Sequence, residues 1–529
     1  MTDFLVLLAA LLIPAIVVYL AGRPRNQRGV APLNLRDPVP TVFNTLQFIL
    51  NNAKFMSRVR AALQRAPVVK FHLGWNRVYV VTGLKNYQAI FSSRELTYNG
   101  IMLQIGFPKL YRMSDDEIQR FANDKTGLKG SADLMPGNER YWASKYHVLY
   151  DYLSRHSQLQ PVVEEFARQF SLVMESFPEG QWTTLSVNEL TKRDFTKCAI
   201  TTLFGPRLFA LNKDFLDIFW TYDDHASKLV WGFPEWVYPA PYKASDRYLA
   251  AFEKYIADGM ENFDWQASGA EANWEPHFGA RITRELVKWL SDAKFRPKTV
   301  AGALGTLLQN SNTIPVVAWI IMEINNDPQL LKALREEVAT AFTTDATTGK
   351  RSLDNQKVLS LPLLQSAFTE VLRLRMSMVI MRVVEKPVTL SGVYIDEGST
   401  IHAYTHLSQT DEAIWGSPSH PADEFWAERH IKYVEEEGQV RREFVMAANP
   451  GHFFPFGGGV PICPGRHFAR NEIFTMMAIL VDRFDMEFVR WTLLDGSGSD
   501  RPAQSDMAYS GIGVLQPDRD MVVRWRRRW

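Results

Sequence analysis

The chain has 529 residues, and its 59 basic and 58 acidic side chains leave a formal charge of +1, which excludes bulk electrostatic attraction to nucleic acid. Hydrophobic residues at 46% and charged residues at 22% are ordinary globular proportions, and they exclude a largely disordered or multi-spanning chain. Two cysteines, Cys198 and Cys463, cannot build a disulfide framework or a multi-thiolate zinc site, and they point to a reducing compartment. The 15 Trp, 18 Tyr and 32 Phe are enough for a large apolar core or pocket.

Residues Phe4 to Ala21 form an eighteen-residue run without a charge. As a helix it would span ~27 Å, close to the apolar thickness of a bilayer, with Pro14 as a point of kinking. A cleaved signal peptide fits less well, because Asp3 replaces a basic leader and Tyr19 stands at −3 of any cut after Ala21. Arg23, Arg25 and Arg28 follow directly, so the positive-inside rule puts the remaining chain in the cytosol. The absence of any Asn-x-Ser/Thr sequon agrees with that side. The expected organisation is a membrane anchor over residues 1–22, a stiff linker rich in Pro and Arg over 23–44, and one catalytic unit over 45–529.

Apolar residues at three- and four-residue spacing predict helices over 141–176, 247–263, 298–324, 328–342, 357–375 and 465–483. Shorter strand patterns fall at 69–72, 77–82, 388–395, 399–404 and within 511–525. Such an order, mostly helices with small β pieces, is not an alternating βα array, which argues against a Rossmann-type enzyme. The Ser/Gly run at 496–499 reads as a turn between late strands. The terminal Trp525 to Trp529, with three arginines between, reads as a solvated tail. The Gly-Lys pair near 350 lacks the first P-loop glycine, since Thr344 stands there.

The informative segment is FPFGGGVPICPGRHFAR, 454–470. Three glycines, Gly457 to Gly459, permit a tight loop that Pro461 and Pro464 stiffen around one cysteine. A helix pattern begins just after Gly465, so Cys463 sits near a helix N-terminus, where the dipole and free N–H groups favour thiolate. A thiolate with no second cysteine nearby suits one axial bond to haem iron. Phe456, Gly459, Cys463, Gly465 and Ala469 satisfy F-x-x-G-x-x-x-C-x-G-x-x-x-A. On these residues the sequence resembles the cytochrome P-450 family. The resemblance implies a mainly α fold with small β-sheets behind a single N-terminal transmembrane helix. It also implies haem b as cofactor, Cys463 as iron ligand, and Phe456, Gly459 and Gly465 against the cofactor.

Further landmarks agree with the resemblance. Glu370 and Arg373 stand at i,i+3 on one helix, and with Arg429 from FWAERH they match the family's buried structural cluster. Trp426, Ala427 and His430 depart from its usual P-E-R-F pattern. Arg382 matches a position where a basic residue reaches a haem propionate. Pro461 stands where a second basic residue is often found. The W-x-x-x-R signature is absent, because Tyr146 follows Trp142, leaving Lys145 and Arg140 as the basic candidates there.

The family's distal helix usually carries an acid-alcohol pair that delivers protons to dioxygen. Here the stretch reads LLQNSNTIPVVAWIIMEI, 307–324. One alignment puts Ser311 and Asn312 at the two places; a one-residue shift puts Asn312 and Thr313 there. In both the acid is missing, so Asn312 and Thr313 become the catalytic candidates, Asn312 by holding a water or orienting substrate. The polar run before Pro315 predicts a local helix distortion. N-T-I-P, the C-terminal GIGVLQPDRDMVVRWRRR and Pro461 together resemble the branch of sterol 7α- and 12α-hydroxylases and prostacyclin synthase. Met376, Met378 and Met381, with Ile512 to Leu515, are candidate pocket walls. Trp231, Phe233, Trp236, Tyr238 and Pro239 are a candidate lid touching the membrane.

The resemblance implies a haem-thiolate monooxygenase that oxidises a bulky hydrophobic terpenoid, steroid or polyketide in fungal secondary metabolism. It would take electrons from NADPH through NADPH-cytochrome P-450 reductase and sit on the endoplasmic reticulum membrane with its catalytic domain in the cytosol. The alternatives are a haem-thiolate isomerase or dehydratase acting on an oxygenated intermediate, and, in another class, a non-catalytic haem sensor.

Overall fold

The structure is a computed structural model that describes residues 29–128, 139–230, 235–308, 310–347, 351–436 and 438–529. The anchor expected over 1–22 and the start of the linker lie outside the described residues. Among the described residues no helix is long and apolar enough to cross a membrane.

The chain opens with β1 (Leu33–Asn34), α1 (Val42–Leu50), the hairpin β2 (Val68–Leu73) and β3 (Asn76–Val81), and β4 (Leu96–Thr97). Helices then dominate: α2 (Tyr141–Ser154), α3 (His156–Glu175), α4 (Thr196–Phe204), α5 (Phe215–Val230), α6 (Pro239–Asn262), α7 (Pro297–Leu307), α8 (Asn310–Asn326) and α9 (Pro362–Arg375), with β5 (Trp182–Ser186) between α3 and α4. After α9 come β6 (Met376–Val384) and β7 (Thr400–Tyr404). The chain closes with α10 (Arg466–Arg483), β8 (Phe484–Thr492), β9 (Ile512–Val514) and β10 (Asp520–Arg527).

Two expected helices are each split. The 141–176 pattern breaks at Arg155, which is extended (φ −77°, ψ 123°). The 298–324 pattern breaks at Leu308 (φ −78°, ψ 84°), so the polar run opens a fresh helix instead of distorting a continuous one at Pro315. Apolar periodicity missed both breaks because the pattern resumes in phase after them. The 388–395 strand is a hairpin, Val388–Leu390 with Val393–Ile395. Ser391 and Gly392, at φ 48° and 79°, turn it, as a two-residue connection with left-handed residues does. The 511–525 pattern divides into β9 and β10. The terminal segment is not a solvated tail: Trp525 is fully buried, and β10 pairs with β8 on one side and β5 on the other.

The larger sheet has the order β1-β2-β3-β7-β6-β9. Strand β6 organises the site. Val379–Val383 pair antiparallel with β7, Met376–Met378 pair with β9, and Val383–Val384 pair with β4. Met376 and Met378, expected as pocket wall, are therefore also rungs of this sheet. A near-continuous apolar run such as MSMVIMRVV carries little period, which is why β6 was not legible as a strand.

One core surrounds α8, α9 and α10, through Val317, Ile320 and Ile321, Leu363 and Val371, and Met476 and Leu480. A second joins α5, α6 and α7 through Phe215, Phe219, Tyr248, Phe252 and Leu304. Each buried Phe or Leu contributes about 1.5–3 kcal/mol, so these two cores hold the helices together. Between α5 and α6, Trp236 is 86% exposed and Val237 51%, an open apolar pair at the place expected for the lid.

Candidate active site

The cysteine loop is closed by its own backbone. The N–H of Cys463 donates to the Phe456 carbonyl at 3.0 Å, that of Gly457 to Phe454 at 3.0 Å, and that of Ile462 to Gly459 at 3.2 Å. Gly459 has φ 71°, and a Cβ there would run into the carbonyl oxygen of Phe91. A side chain is thus excluded twice, by conformation and by space. A Cβ on Gly465 would meet only Cys463 Sγ, at 3.9 Å, an ordinary contact, so this glycine borders the sulfur without being demanded by space.

Cys463 is exposed, whereas Cys198 is buried. Even so, the protein mass around the loop pushes the Cys463 thiol above its usual range; the N–H groups of Gly465 and Arg466 and the Arg466 charge oppose this without reversing it. The expected pull of the helix end toward thiolate is thus present, through the N–H groups of Gly465 and Arg466 at the start of α10, but burial outweighs it. Coordination to a metal is what deprotonates such a thiol outright.

Arg382 projects from β6 toward this loop. It is 4% exposed, and its guanidinium donates to the carbonyls of Met381 at 2.9 Å and Gly458 at 3.1 Å. Among the described residues it makes no ion pair with a carboxylate. Burial lowers its pKa to about 10, partly opposed by the neighbouring Tyr98. A buried cation with only neutral partners is costly, and the site is therefore built for an anion that the protein does not itself supply. The Tyr98 phenol is raised by burial and feels Lys145, Arg382 and Cys463 together, so these four groups share one electrostatic neighbourhood. Sequence reasoning missed Tyr98, which falls in no motif.

Of the two basic candidates near α2, Lys145 is the one on this side. Arg140 is tied to the loop before α2, donating to Thr126 at 3.3 Å and the Gly127 carbonyl at 3.2 Å. Trp142 donates its indole N–H to the Phe121 carbonyl at 2.9 Å.

Glu370, Arg373 and Arg429 meet as expected. The Glu370 carboxylate accepts from Arg373 at 2.7 and 2.8 Å and from Arg429 at 2.8 Å, with Glu370 and Arg373 fully buried. Burial pushes the carboxyl up, but hydrogen bonds from Arg373 and His430 and the charges of both arginines outweigh it and hold the pKa down at about 2. His430, a departure from the family pattern, joins the cluster: its Nε2 stands 3.5 Å from Glu370, a weaker pull than the arginines exert. Its Nδ1 accepts from the Ala447 N–H at 3.2 Å. The arginines also fasten the 409–422 segment, whose Gln409 side chain accepts the Phe454 N–H at the start of the cysteine loop at 3.3 Å. Arg373 donates to the carbonyls of Gln409 and Ala422, and Arg429 to those of Trp415 and Pro421.

On α8, Thr313 is buried. Asn312 is partly committed: its Oδ1 accepts the backbone N–H of Val514 in β9 at 3.1 Å. Only the Nδ2 end remains to meet a water or a ligand.

Comparison with known proteins agrees with this geometry. A profile described as Cytochrome P450 matches residues 113–492. Cytochrome P450 monooxygenase calL of Penicillium decumbens is 38% identical over 493 residues, 92% of this chain and 91% of the relative. Cholesterol 7-alpha-monooxygenase of Cricetulus griseus is 26% identical over 384 residues, 68% of this chain and 70% of the relative. The structure of retinoic acid bound cyanobacterial CYP120A1 shares the fold, with a TM-score of 0.63 over 93% of this chain and 98% of that one, at 16% identity.

Proposed function

The chain belongs to the cytochrome P450 family of monooxygenases, and we propose that it oxidises a bulky hydrophobic substrate of terpenoid, steroid or polyketide type in fungal secondary metabolism. The family and the fold imply haem b as the cofactor. The observation that carries the reading is the pairing of an exposed Cys463 with the buried, carboxylate-free Arg382 beside the same loop. These residues fit the group: a thiol for the iron and a cation for an acidic side arm.

In this reading haem, when bound, supplies one-electron and dioxygen chemistry. Cys463 Sγ would hold the iron, with Gly465 beside the sulfur, while Gly459, packed against the Phe91 backbone, and Phe456, through its carbonyl, would fix the loop. Arg382 and Lys145 neutralise the cofactor's carboxylates, and the Tyr98 hydroxyl lies in the same neighbourhood. The cluster of Glu370, Arg373 and Arg429 holds the loop in shape. On α8, Asn312 and Thr313 would be the polar groups offered to the reaction, followed by the apolar run Ile314 to Met322. Because neither is an acid, each would act by hydrogen-bonding a water that carries the proton, or by orienting the substrate.

We assign residues 1–22 to a single membrane anchor in the endoplasmic reticulum, 23–44 to a linker, and 45–529 to the cytosolic catalytic domain, with electrons from NADPH through NADPH-cytochrome P-450 reductase. The charge-free run followed by Arg23, Arg25 and Arg28 supports the anchor, and the exposed Trp236 and Val237 support a lid that meets the bilayer. The similarity to cholesterol 7-alpha-monooxygenase supports a large apolar substrate. The test is purified protein with a reductase: NADPH consumption stimulated by a lipophilic extract, with oxygen incorporated into a product. A product formed without NADPH identifies the isomerase alternative instead, and haem binding without turnover identifies the sensor.

A further inference from the structure

Strand β9 is fastened to α8 at two points on one helix face. Asn312 Oδ1 accepts the Val514 N–H at 3.1 Å. Seven residues and two turns on, the Trp319 indole donates to the Leu515 carbonyl at 2.8 Å. Spacing of i,i+7 keeps both on the same stripe. Trp319 is in turn covered by the Arg375 guanidinium, 3.8 Å from its ring centre, and the Arg375 carbonyl accepts the Leu515 N–H at 2.8 Å.

The residue before Val514 is Gly513, and its backbone is ordinary: it is not among the glycines with positive φ. Conformation therefore does not demand glycine there. Space does. A Cβ built on Gly513 would stand on top of Asn312 Oδ1, closer than real Cβ contacts allow. The orientation of the amide is chemically determined as well, because only its oxygen can accept from a backbone N–H, and Nδ2 then faces away.

We propose that Asn312 and Gly513 form an interlocked pair that positions β9 as a wall of the substrate pocket, with Asn312 a positioning residue and Gly513 a specificity-determining one. This rests on the monooxygenase reading for its pocket, while the interlock itself stands on the contacts above. The wall sits where the oxygen of Asn312 holds it, and the pocket presents the Nδ2 donor to an acceptor atom of a ligand. A larger residue at Gly513 would push the strand and the distal helix apart.

The experiment compares full-length holoprotein with Asn312→Ala, Asn312→Asp, Gly513→Ala and the double variant Asn312→Ala/Gly513→Ala. Amide hydrogen exchange of the 511–515 segment reads the interlock. Asn312→Ala and Gly513→Ala each speed exchange on the order of tenfold, and Asn312→Asp stays near wild type because a carboxylate oxygen still accepts from Val514. In the Asn312→Ala background, Gly513→Ala adds less than about twofold, as the space it needs is already free. Binding of two haem-directed probes reads the wall. Clotrimazole, which is bulky, shifts about fivefold in affinity in both single alanine variants, while imidazole stays within about twofold. Equal damage by Gly513→Ala with and without Asn312, unchanged exchange in Asn312→Ala, or parallel behaviour of the two azoles would overturn the proposal. A wild type that gives no spectral response to either azole refutes the haem-thiolate reading and the pocket role with it, and the interlock is then judged by exchange alone.

Discussion

Arg373→Ala removes one of the two guanidiniums that enclose Glu370. It deletes hydrogen bonds of 2.7 and 2.8 Å to the carboxylate and leaves the carbonyls of Gln409 and Ala422, now held at 2.7 and 2.6 Å, without their donor. Breaking a buried pair in this way costs about 3–5 kcal/mol. The carboxylate itself provides a second measure. Its pKa of about 2 against an ordinary 4.5 corresponds to about 3 kcal/mol at roughly 1.4 kcal/mol per unit. The pKa is depressed in the folded state, so this stability is fully present above pH 4.5 and is lost as pH falls through about 2. With one cation gone, the carboxylate protonates at higher pH, and the acid transition of Arg373→Ala moves upward. Urea and acid titrations followed by tryptophan fluorescence, with haem content measured in parallel, give both quantities. Arg373→Lys keeps the charge but not the forked geometry and should fall between wild type and alanine. A loss below about 1 kcal/mol, the size of an exposed ion pair, with an unmoved acid transition and normal haem loading, would refute the argument that this cluster holds the cysteine loop.

Three other outcomes follow from the site. Cys463→Ala should abolish the spectrum that thiolate ligation gives the reduced, CO-bound protein; an unchanged spectrum would mean the axial ligand is elsewhere. Arg382→Met should lower haem retention at least tenfold while leaving the apoprotein as stable as wild type or more so, since an unpaired buried cation is removed; haem titration and thermal unfolding of the apoprotein read the two effects, and equal haem affinity would release Arg382 from its proposed role. Deleting residues 1–22 should release the protein from membranes, or leave only weak attachment through the Trp236 region, with the haem spectrum intact; loss of haem on that deletion would show that the segment packs into the fold.

Much of the site was legible because its signals are local. The glycine and proline spacing around Cys463 encodes a loop whose backbone closes on itself within a few residues, as the bond from Cys463 to Phe456 does. Glu370 and Arg373 are one turn apart on a helix, so their pairing follows from helical geometry alone, and the onset of α10 after Gly465 follows from apolar period. Reading Arg429 into the same cluster required the family resemblance, since 59 residues separate it from Glu370.

What only the tertiary structure decided are the partners that chain closure brings together. Tyr98 reaches the neighbourhood of Arg382, Lys145 and Cys463 from a segment with no motif. His430 is a mismatch in the sequence pattern and yet takes a place beside Glu370. Strand β6 hides in an apolar run, because MSMVIMRVV puts apolar residues on both faces of the sheet and so carries no polar alternation to read. The terminal Trp-Arg segment reads as a solvated tail by composition but is held in a sheet between β8 and β5, with Trp525 buried. Asn312 is the clearest case. Residue type showed an amide where the family has an acid or an alcohol, but which end of that amide is free depends on a backbone N–H 202 residues away, and no local periodicity, propensity or spacing carries that distance.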